Sequence, residues 1–545
     1  MMVTRRIVRT AVQLGLLVIV VLIFVFILDN QFRVLPASIH THSPAHYPGY
    51  VVTDITISTC SSLNIFSSCS LDSDEWHRIE KDLFLGSGWT SEAFVHIKRK
   101  KEADLLPGDK IVLDLKISRL DPATGDATQH DLWESRPGGI WLQRTSDHHA
   151  SDSQDTVTFI DVLFGADAVD PRPHWEVKDT PLLLSSDATE ARLSVRRGAQ
   201  GKIEKPVPRI GKDSKFKIMQ LADLHLSTGV GICREPYPAH SESGRQCDAD
   251  PRTLEFVERL IEDEKPDLVV LSGDQVNGET APDAQTALFK IADLLARYKI
   301  PYTAIFGNHD DEGDLDRASL MSLMQQLPYS LSEPGPPDVD GVGNYIVEVL
   351  GRSSSTHSAL SLYLLDSHSY SPDERQFRGY DWLKPSQIKW FKSTAQSREK
   401  AHSEYTHIHM NLAFIHIPLP EYRNPENYYK GNWTEPPTAP GFNSGFKDAL
   451  VDENIVLVSC GHDHVNDYCM LEKDAKSDPA LWMCYGGGAG FGGYGGYGDY
   501  VRRVRFFDID MNEARIVTYK RLEWGQTDAR IDEMIVVDGG RVATP

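Results

Sequence analysis

Cysteine is scarce in this sequence, and the cysteines present have no metal-binding spacing. Seven occur in 545 residues and none forms a Cys-x-x-Cys pair, which argues against a four-thiolate zinc site or a dithiol redox centre. Basic residues are also few, because 56 Lys and Arg face 78 Asp and Glu, giving a net charge of −22. Nucleic-acid binding needs basic surface that neutralises phosphates, so we expect no nucleic-acid partner.

The chain also lacks the pattern of a nucleotide-binding P-loop. Its glycine-rich segment, 485–500 (YGGGAGFGGYGGYGDY), contains no Gly-Lys-Ser or Gly-Lys-Thr. We therefore predict a flexible loop near a functional site.

The few cysteines nevertheless fall into local pairs. Disulfides persist in oxidising compartments, so this arrangement favours a lumenal or extracytoplasmic domain. Seven reduced thiols in a cytosolic enzyme are the alternative. The expected pairs are Cys60 with Cys69, Cys233 with Cys247, and Cys469 with Cys484, leaving Cys460 as a buried thiol.

The longest apolar run lies near the N-terminus, at residues 11–28 (AVQLGLLVIVVLIFVFIL). Its 18 residues carry no charge, which suffices to span a bilayer. A short basic stub at 1–10 precedes it, and the positive-inside rule then leaves the N-terminus cytoplasmic and the remainder lumenal or extracytoplasmic. We expect an uncleaved single-pass signal anchor in an endomembrane, the vacuole or the cell surface, followed by a spacer at 29–47. A signal peptide cleaved near Pro36-Ala37-Ser38 is the alternative.

Apolar patterning changes once along the rest of the chain. Residues 48–197 contain short runs of alternating apolar and polar residues, which predict a β-rich accessory domain. A Gly-, Pro- and Lys-rich linker follows at 198–213, and strands alternate with helices over 214–525 before a tail at 526–545. This alternation indicates an α/β domain with a mainly parallel or mixed sheet.

Five short polar motifs each follow an apolar run in the α/β part. Ligands in α/β sheets gather at the carboxyl ends of strands, where these runs end. Carboxylates, an amide and imidazoles without thiolate suit two divalent or trivalent ions, such as iron, zinc or manganese, rather than calcium. The candidate ligands are Asp223, His225, Asp274, Asn308, His416, His462 and His464.

The order D-x-H, G-D, G-N-H-D, H and G-H-x-H over 216–521 resembles the calcineurin-like metallophosphoesterase superfamily. LYLLDSHSY at 362–370 and GHDHVNDYC at 461–469 look most like fungal dosage-dependent cell-cycle regulator phosphatases and plant purple-acid-phosphatase-like proteins. The resemblance implies a four-layer αββα sandwich and a dinuclear metal centre. It assigns one ion to Asp223, His225 and His464 and the other to Asn308, His416 and His462, with Asp274 shared.

The same resemblance implies catalytic roles for Asn308, His309 and Asp310. Asn308 and His309 would contact the phosphate, His309 would protonate the leaving oxygen, and Asp310 would orient that imidazole or neighbouring groups. A hydroxide that bridges the two ions would be the nucleophile. Asn277 stands where purple acid phosphatases carry a coloured tyrosinate ligand, so no such ligand is expected.

We expect a membrane-anchored phosphatase that hydrolyses phosphate monoesters, either phosphoproteins or small phosphate esters. A phosphodiesterase or nuclease of the same superfamily is one alternative, and a non-catalytic scaffold is another. The resemblance also suggests a role in cell-cycle or stress-signalling control, whereas the residues indicate no oligomeric state. Asn432, in an Asn-x-Thr sequon, is the candidate glycosylation site of a lumenal domain.

Overall fold

The structure, a computed structural model, describes most of the chain from residue 49 onward. Gly49–Pro545 forms one compact unit. The described residues are 13–21, 24, 49–61, 69–88, 90–106, 108–123, 133–146, 155–184, 189–239, 247–474, 476–496 and 499–545.

The predicted N-terminal stub and spacer, and much of the predicted anchor at 11–28, lie outside the described residues. The part of the anchor that is described, 13–21 and 24, is helical and exposed. Among all described residues, no helix combines the length and the apolar character that crossing a bilayer requires. The anchor at 11–28 therefore stays a prediction.

The alternating runs before residue 198 form strands. They pair antiparallel into three-stranded sheets with the orders β1-β3-β2, β4-β6-β5 and β7-β9-β8, and their inward side chains share one apolar core. The strands are β1 (Tyr50–Ser61), β2 (Trp76–Arg78), β3 (Ser91–Lys101), β4 (Ile111–Ile117), β5 (Trp133–Arg136), β6 (Ile140–Thr145), β7 (Val157–Phe164), β8 (Trp175–Val177) and β9 (Ala191–Arg197).

Strands and helices alternate after residue 214, as the pattern predicts. The strands are β10 (Lys215–Leu221), β11 (Leu268–Ser272), β12 (Tyr302–Ile305), β13 (Tyr345–Leu350), β14 (Ser358–Leu364), β15 (Met410–Phe414), β16 (Tyr429–Lys430), β17 (Ile455–Cys460), β18 (Cys469–Lys473), β19 (Pro479–Tyr485), β20 (Arg503–Asp510), β21 (Arg515–Leu522), β22 (Ile531–Asp538) and β23 (Arg541–Val542). The α-helices are α1 (Ala249–Glu264), α2 (Ala284–Arg297), α3 (Arg317–Met324), α4 (Pro385–Ser403) and α5 (Phe446–Asp452). Single 3-10 turns occur at Glu102–Asp104, Pro137–Gly139 and Pro420–Arg423.

Two seven-stranded mixed sheets position the candidate site. Their orders are β12-β11-β10-β20-β21-β22-β23 and β13-β14-β15-β17-β19-β18-β16. Apolar side chains of both sheets, such as Leu271 and Leu412, belong to the same buried core. Strands β10 to β12 run parallel in the first sheet, and β14, β15, β17 and β19 run parallel in the second, so their carboxyl ends meet along shared edges. The predicted α/β class with mixed sheets is confirmed.

The C-terminal residues 526–545, predicted to be a tail, instead contribute strands β22 and β23 to the first sheet. Gly539 and Gly540 have φ of 59° and 73°, which suits the two-residue turn that joins these strands. Val536 and Val537 are buried on the sheet. The Asp-Gly-Gly turn between apolar runs is the signal that identifies this hairpin.

The cysteine pairing is confirmed. Disulfides join Cys60 to Cys69, Cys233 to Cys247 and Cys469 to Cys484, and Cys460 is a buried free thiol.

A buried ion pair links the β-rich part of the compact unit to helix α2. Lys81 Nζ lies 2.7 Å from Asp283 Oδ1 and donates to the Val162 carbonyl at 2.8 Å. Asp283 also caps α2, because its carboxylate accepts from the Thr286 backbone N–H at 3.0 Å. Loss of the lysine would leave a buried carboxylate without its cation.

We expect Lys81→Met to lower the free energy of unfolding by about 3–5 kcal/mol, the usual effect of removing one partner of a buried pair. Lys98→Met is the matched control, because Lys98 pairs with Glu75 at the surface. That change should cost less than about 1 kcal/mol. Denaturant unfolding followed by tryptophan fluorescence measures both, and similar losses would contradict a structural role for the buried pair.

Candidate metal centre

Each predicted ligand follows the carboxyl end of a strand. Asp223 and His225 follow β10, Asp274 follows β11, Asn308 follows β12, His416 follows β15, and His462 and His464 follow β17. Several of these residues adopt a left-handed backbone conformation that L-residues rarely hold, a kind of strain that clusters at functional sites. Their φ values are 57° at Asp223, 48° at His225, 51° at Asp274 and 78° at His462.

The first group of ligand atoms comes from Asp223, His225, Asp274 and His464, all buried. One atom from each lies within 4.8 Å of every other. His225 Nε2 is 3.0 Å from His464 Nε2, and His464 Nε2 is 3.5 Å from Asp223 Oδ1. The spacing is that of a compact pocket for one ion.

The second group comes from Asp274, His416 and His462, also within 4.8 Å of one another. His416 Nε2 lies 3.2 Å from Asp274 Oδ2 and 3.3 Å from Asn308 Oδ1, which adds the amide to this group. Asp274 therefore belongs to both groups, the arrangement that two neighbouring ions with a shared carboxylate require.

Hydrogen bonds outside the centre direct ring nitrogens into it. Nδ1 of His464 donates to the Tyr494 carbonyl at 2.8 Å, and Nδ1 of His416 donates to the Ser272 carbonyl at 2.9 Å. Because a carbonyl only accepts, each neutral ring presents an Nε2 lone pair to the ligand group.

Several polar atoms of the centre lack ordinary hydrogen-bond partners. Two imidazole Nε2 atoms lie 3.0 Å apart in the first group, and the buried His462 Nε2 and Asn308 Nδ2 have no hydrogen-bond partner. Buried polar atoms are normally satisfied, so the exceptions need a missing partner. Cations between these atoms would satisfy the ring nitrogens, and the residues therefore fit a dinuclear metal centre.

Burial sets the protonation of the candidate ligands. It lowers the pKa of His225 to about 3 and the pKa of His462 and His464 well below the usual value, which keeps these rings neutral and able to bind metal. Burial also raises the pKa of Asp223 to about 8. At His416 burial opposes protonation, but the charge of Asp274 outweighs it and raises the pKa to about 9. The carboxylate of Asp274 therefore favours a positive charge beside His416.

The structure places Glu312, which the sequence analysis missed, against the imidazole of His309. His309 Nδ1 lies 2.6 Å from Glu312 Oε2, and the His309 side chain is 31% exposed at the rim of the centre. Asp310 does not orient this ring as expected. It orients neighbouring groups, because its carboxylate accepts from the backbone N–H of Gly307, Asp274 and Val276 at 2.7 to 2.9 Å.

The glycine-rich segment is near the centre, as predicted, and residues 485–493 are buried. A β-carbon on Gly493 would lie 2.4 Å from His464 Cε1 and 2.6 Å from His225 Cδ2. A β-carbon on Gly490 would lie 1.9 Å from the Leu224 carbonyl oxygen. Only glycine permits this close approach, so the segment forms a backbone surface against two candidate ligands.

Comparison with known proteins places this chain among phosphoesterases and their relatives. The model of the calcineurin-like phosphoesterase family matches residues 216–466. The chain is 39% identical over 400 residues to phosphatase DCR2 of Saccharomyces cerevisiae, covering 70% of this chain and 67% of that protein. It is 30% identical to an uncharacterized protein of Schizosaccharomyces pombe, covering 88% of each. It is 36% identical to the probable inactive purple acid phosphatase 29 of Arabidopsis thaliana, covering 58% of this chain and 84% of that protein.

The chain belongs to the calcineurin-like phosphoesterase family. The family and its phosphatase relative confirm the prediction of a metal-dependent phosphatase, which was made from five motifs.

We expect Asp274→Asn to reduce bound metal and to lower activity by about a hundredfold or more, the scale for losing one preorganised electrostatic contact. The reason is that the change neutralises the carboxylate common to both ligand groups. Asp311→Asn, at an aspartate outside both ligand groups, is the control and should keep its metal. Elemental analysis and turnover of the purified proteins measure both effects. Wild-type metal content in Asp274→Asn would refute the shared-ligand assignment.

Proposed function

We propose that this protein is a dinuclear-metal phosphatase that hydrolyses phosphate monoesters. The observation that carries the proposal is the pair of buried ligand groups that share Asp274, with His309 at their accessible rim. The first ion would be held by Asp223, His225, Asp274 and His464, and the second by Asp274, Asn308, His416 and His462. Iron, zinc and manganese all suit this ligand set.

Bound metal ions would acidify a water molecule and neutralise the phosphoryl oxygens. The protein supplies the remaining chemistry through His309. Its backbone N–H donates to Asp274 Oδ1 at 2.8 Å, which fixes the residue beside the shared carboxylate. Because Nδ1 faces Glu312, Nε2 is left to carry the proton for the leaving oxygen.

The electrostatic surroundings of His309 suit that role. Burial opposes protonation of the ring, but the charges of Asp274 and Glu312 outweigh burial and raise the pKa of His309. In the reaction, the water oxygen forms a bond to phosphorus, the bond from phosphorus to the leaving oxygen breaks, and the His309 proton moves to that oxygen. The products are an alcohol or phenol and inorganic phosphate.

A non-catalytic scaffold is the alternative, because one relative in Arabidopsis thaliana is named a probable inactive purple acid phosphatase. This chain has every candidate ligand, and the buried His462 Nε2 has no hydrogen-bond partner. We therefore propose an active enzyme. Turnover of p-nitrophenyl phosphate but not of its bis-ester would support a monoesterase, preferential turnover of the bis-ester would favour a phosphodiesterase, and turnover of neither by metal-loaded protein would favour a scaffold.

We expect His309→Ala to lower kcat by about a hundredfold to ten-thousandfold for alkyl phosphates, the usual range for loss of a general acid. The loss should be smaller for p-nitrophenyl phosphate, whose leaving group needs less protonation. Metal content should not change. His357→Ala, which removes a half-exposed histidine outside both ligand groups, is the control. Equal losses for good and poor leaving groups would remove the acid role.

We further propose that the catalytic part is lumenal or extracytoplasmic and is anchored by residues 11–28. The disulfides support this placement, because they persist in oxidising compartments. Asn432 is exposed, and its Nδ2 donates to Asp467 Oδ2 at 3.1 Å. The suggested part in cell-cycle or stress-signalling control rests on resemblance and would need a cytosolic phosphoprotein substrate.

Glycosylation tests the lumenal placement. We expect endoglycosidase treatment to shift the mobility of the wild-type protein but not of Asn432→Gln, since only a lumenal sequon meets the transferase. Protease protection in intact microsomes provides a second measurement. An unshifted protein whose C-terminal part is protease-sensitive and whose cysteines are reduced would place the enzyme on the cytosolic face.

A further inference from the structure

Two tyrosine rings stand beside the candidate metal centre, on the loop that joins β14 to α4. Tyr370 and Tyr380 are bridged antiparallel, and their rings stack with centroids 5.6 Å apart and planes inclined by 23°. The Tyr380 ring contacts the ring of His462 nearly at right angles, with centroids 4.2 Å apart. Tyr370 is 49% exposed, so a large aromatic side chain faces solvent next to the second ligand group.

The loop holds these rings in place through its own backbone. The Ser371 N–H donates to the Gly379 carbonyl at 2.8 Å, and the Asp381 N–H donates to the Ser369 carbonyl at 2.9 Å. At the base of the loop, Arg317 pairs with the buried Asp366. A surface held in this way loses little conformational entropy when a ligand binds to it.

One carboxylate connects the tyrosine pair to the proposed proton donor. The Tyr370 hydroxyl donates to Glu312 Oε1 at 3.1 Å, while Glu312 Oε2 faces His309 Nδ1 at 2.6 Å. A general acid must lie at the leaving oxygen of the substrate. Tyr370 is thereby held at the rim of the centre, within two hydrogen bonds of the residue proposed to protonate the leaving oxygen.

The same loop carries two further aromatic side chains, Phe377 and Trp382. Phe377 contacts Trp382 with ring centroids 5.2 Å apart, and Trp382 contacts Phe442 at 4.8 Å. Phe442 is 38% exposed. We call Tyr370, Tyr380, Phe377, Trp382 and Phe442 the aromatic surface.

We propose that the aromatic surface binds the leaving group and selects aryl phosphate monoesters, the class that includes a phosphotyrosyl side chain; this specificity rests on the function proposed above. The aryl ring of the substrate packs against Tyr370, since aromatic rings favour offset or edge contacts with one another. Water oxygen bonds to phosphorus, the bond from phosphorus to the aryl oxygen breaks, and the proton on His309 Nε2 passes to that oxygen. The products are a phenol and inorganic phosphate.

The test compares phenyl phosphate with propyl phosphate in wild-type protein and in Tyr370→Leu, which removes the ring. We expect kcat/KM to fall about three- to tenfold more for the phenyl ester, the fold-change that an aromatic contact supplies. Tyr370→Phe, which keeps the ring and loses the hydroxyl, should retain the phenyl preference. Tyr428→Leu, at an exposed tyrosine outside the aromatic surface, should change neither value. Equal losses for both esters in Tyr370→Leu would overturn the proposal.

Binding of non-hydrolysable analogues tests the aryl-binding site independently of phosphatase activity. Calorimetry of zinc-loaded protein with phenylphosphonate and propylphosphonate should show tighter binding of the phenyl compound, and Tyr370→Leu should abolish the difference. Absence of monoester turnover together with this selectivity would refute the phosphatase but keep the aryl site. Equal affinity of wild-type protein for both phosphonates would refute the aryl site whatever the turnover.

Discussion

The centre depends on two carboxylates, Asp223 and Asp274, that are buried together among imidazoles. Carboxylates removed from water are unstable as anions unless cations or donors compensate them. Here the backbone N–H groups of His462 and His309 donate to Asp223 and Asp274, but Asp223 also faces Nε2 of His464, which carries no proton because Nδ1 donates to the Tyr494 carbonyl. Metal ions would resolve both conflicts at once, because they neutralise the carboxylates and engage the ring nitrogens.

Metal binding by these carboxylates and imidazoles requires the strand ends to keep fixed positions, both within each sheet and between the two sheets. Asp310 contributes to it directly, since one carboxylate accepts from backbone groups that follow β11 and from Gly307, which follows β12. His462, which follows β17 in the second sheet, donates its backbone N–H to Asp223 at 3.0 Å. Hydrogen bonds to charged acceptors are among the stronger ones, so the contact from His462 to Asp223 joins the two sheets where the ligands meet.

The ligands could be predicted from the sequence because each follows an apolar strand, and parallel strands bring their carboxyl ends together. The same logic predicted the mixed sheets. It could not find Glu312 or Tyr370, because their contacts depend on the path of loops that carry no periodic pattern. It also could not reveal that the glycine-rich segment is buried, since composition alone does not distinguish a flexible backbone from one packed closely against other atoms. Residues 526–545 were predicted to be a tail although the Asp-Gly-Gly turn between short apolar runs indicates a hairpin.

One side of the centre is lined by the backbone of the glycine-rich segment and the other by side chains of the loop that carries Tyr370. This difference determines which substitutions the enzyme can tolerate. Beside His225 and His464, the glycine-rich segment presents backbone, and a single methyl group at Gly493 or Gly490 would collide with its neighbours. Substitutions of these glycines are therefore expected to disrupt the centre. The loop that carries Tyr370 presents exposed side chains on a backbone that pairs with itself, so those side chains can be exchanged without moving a ligand. Substitutions that change the substrate range of relatives should therefore occur in this loop. The glycine-rich segment should stay constant, because its glycines are needed to keep the metal ligands in place.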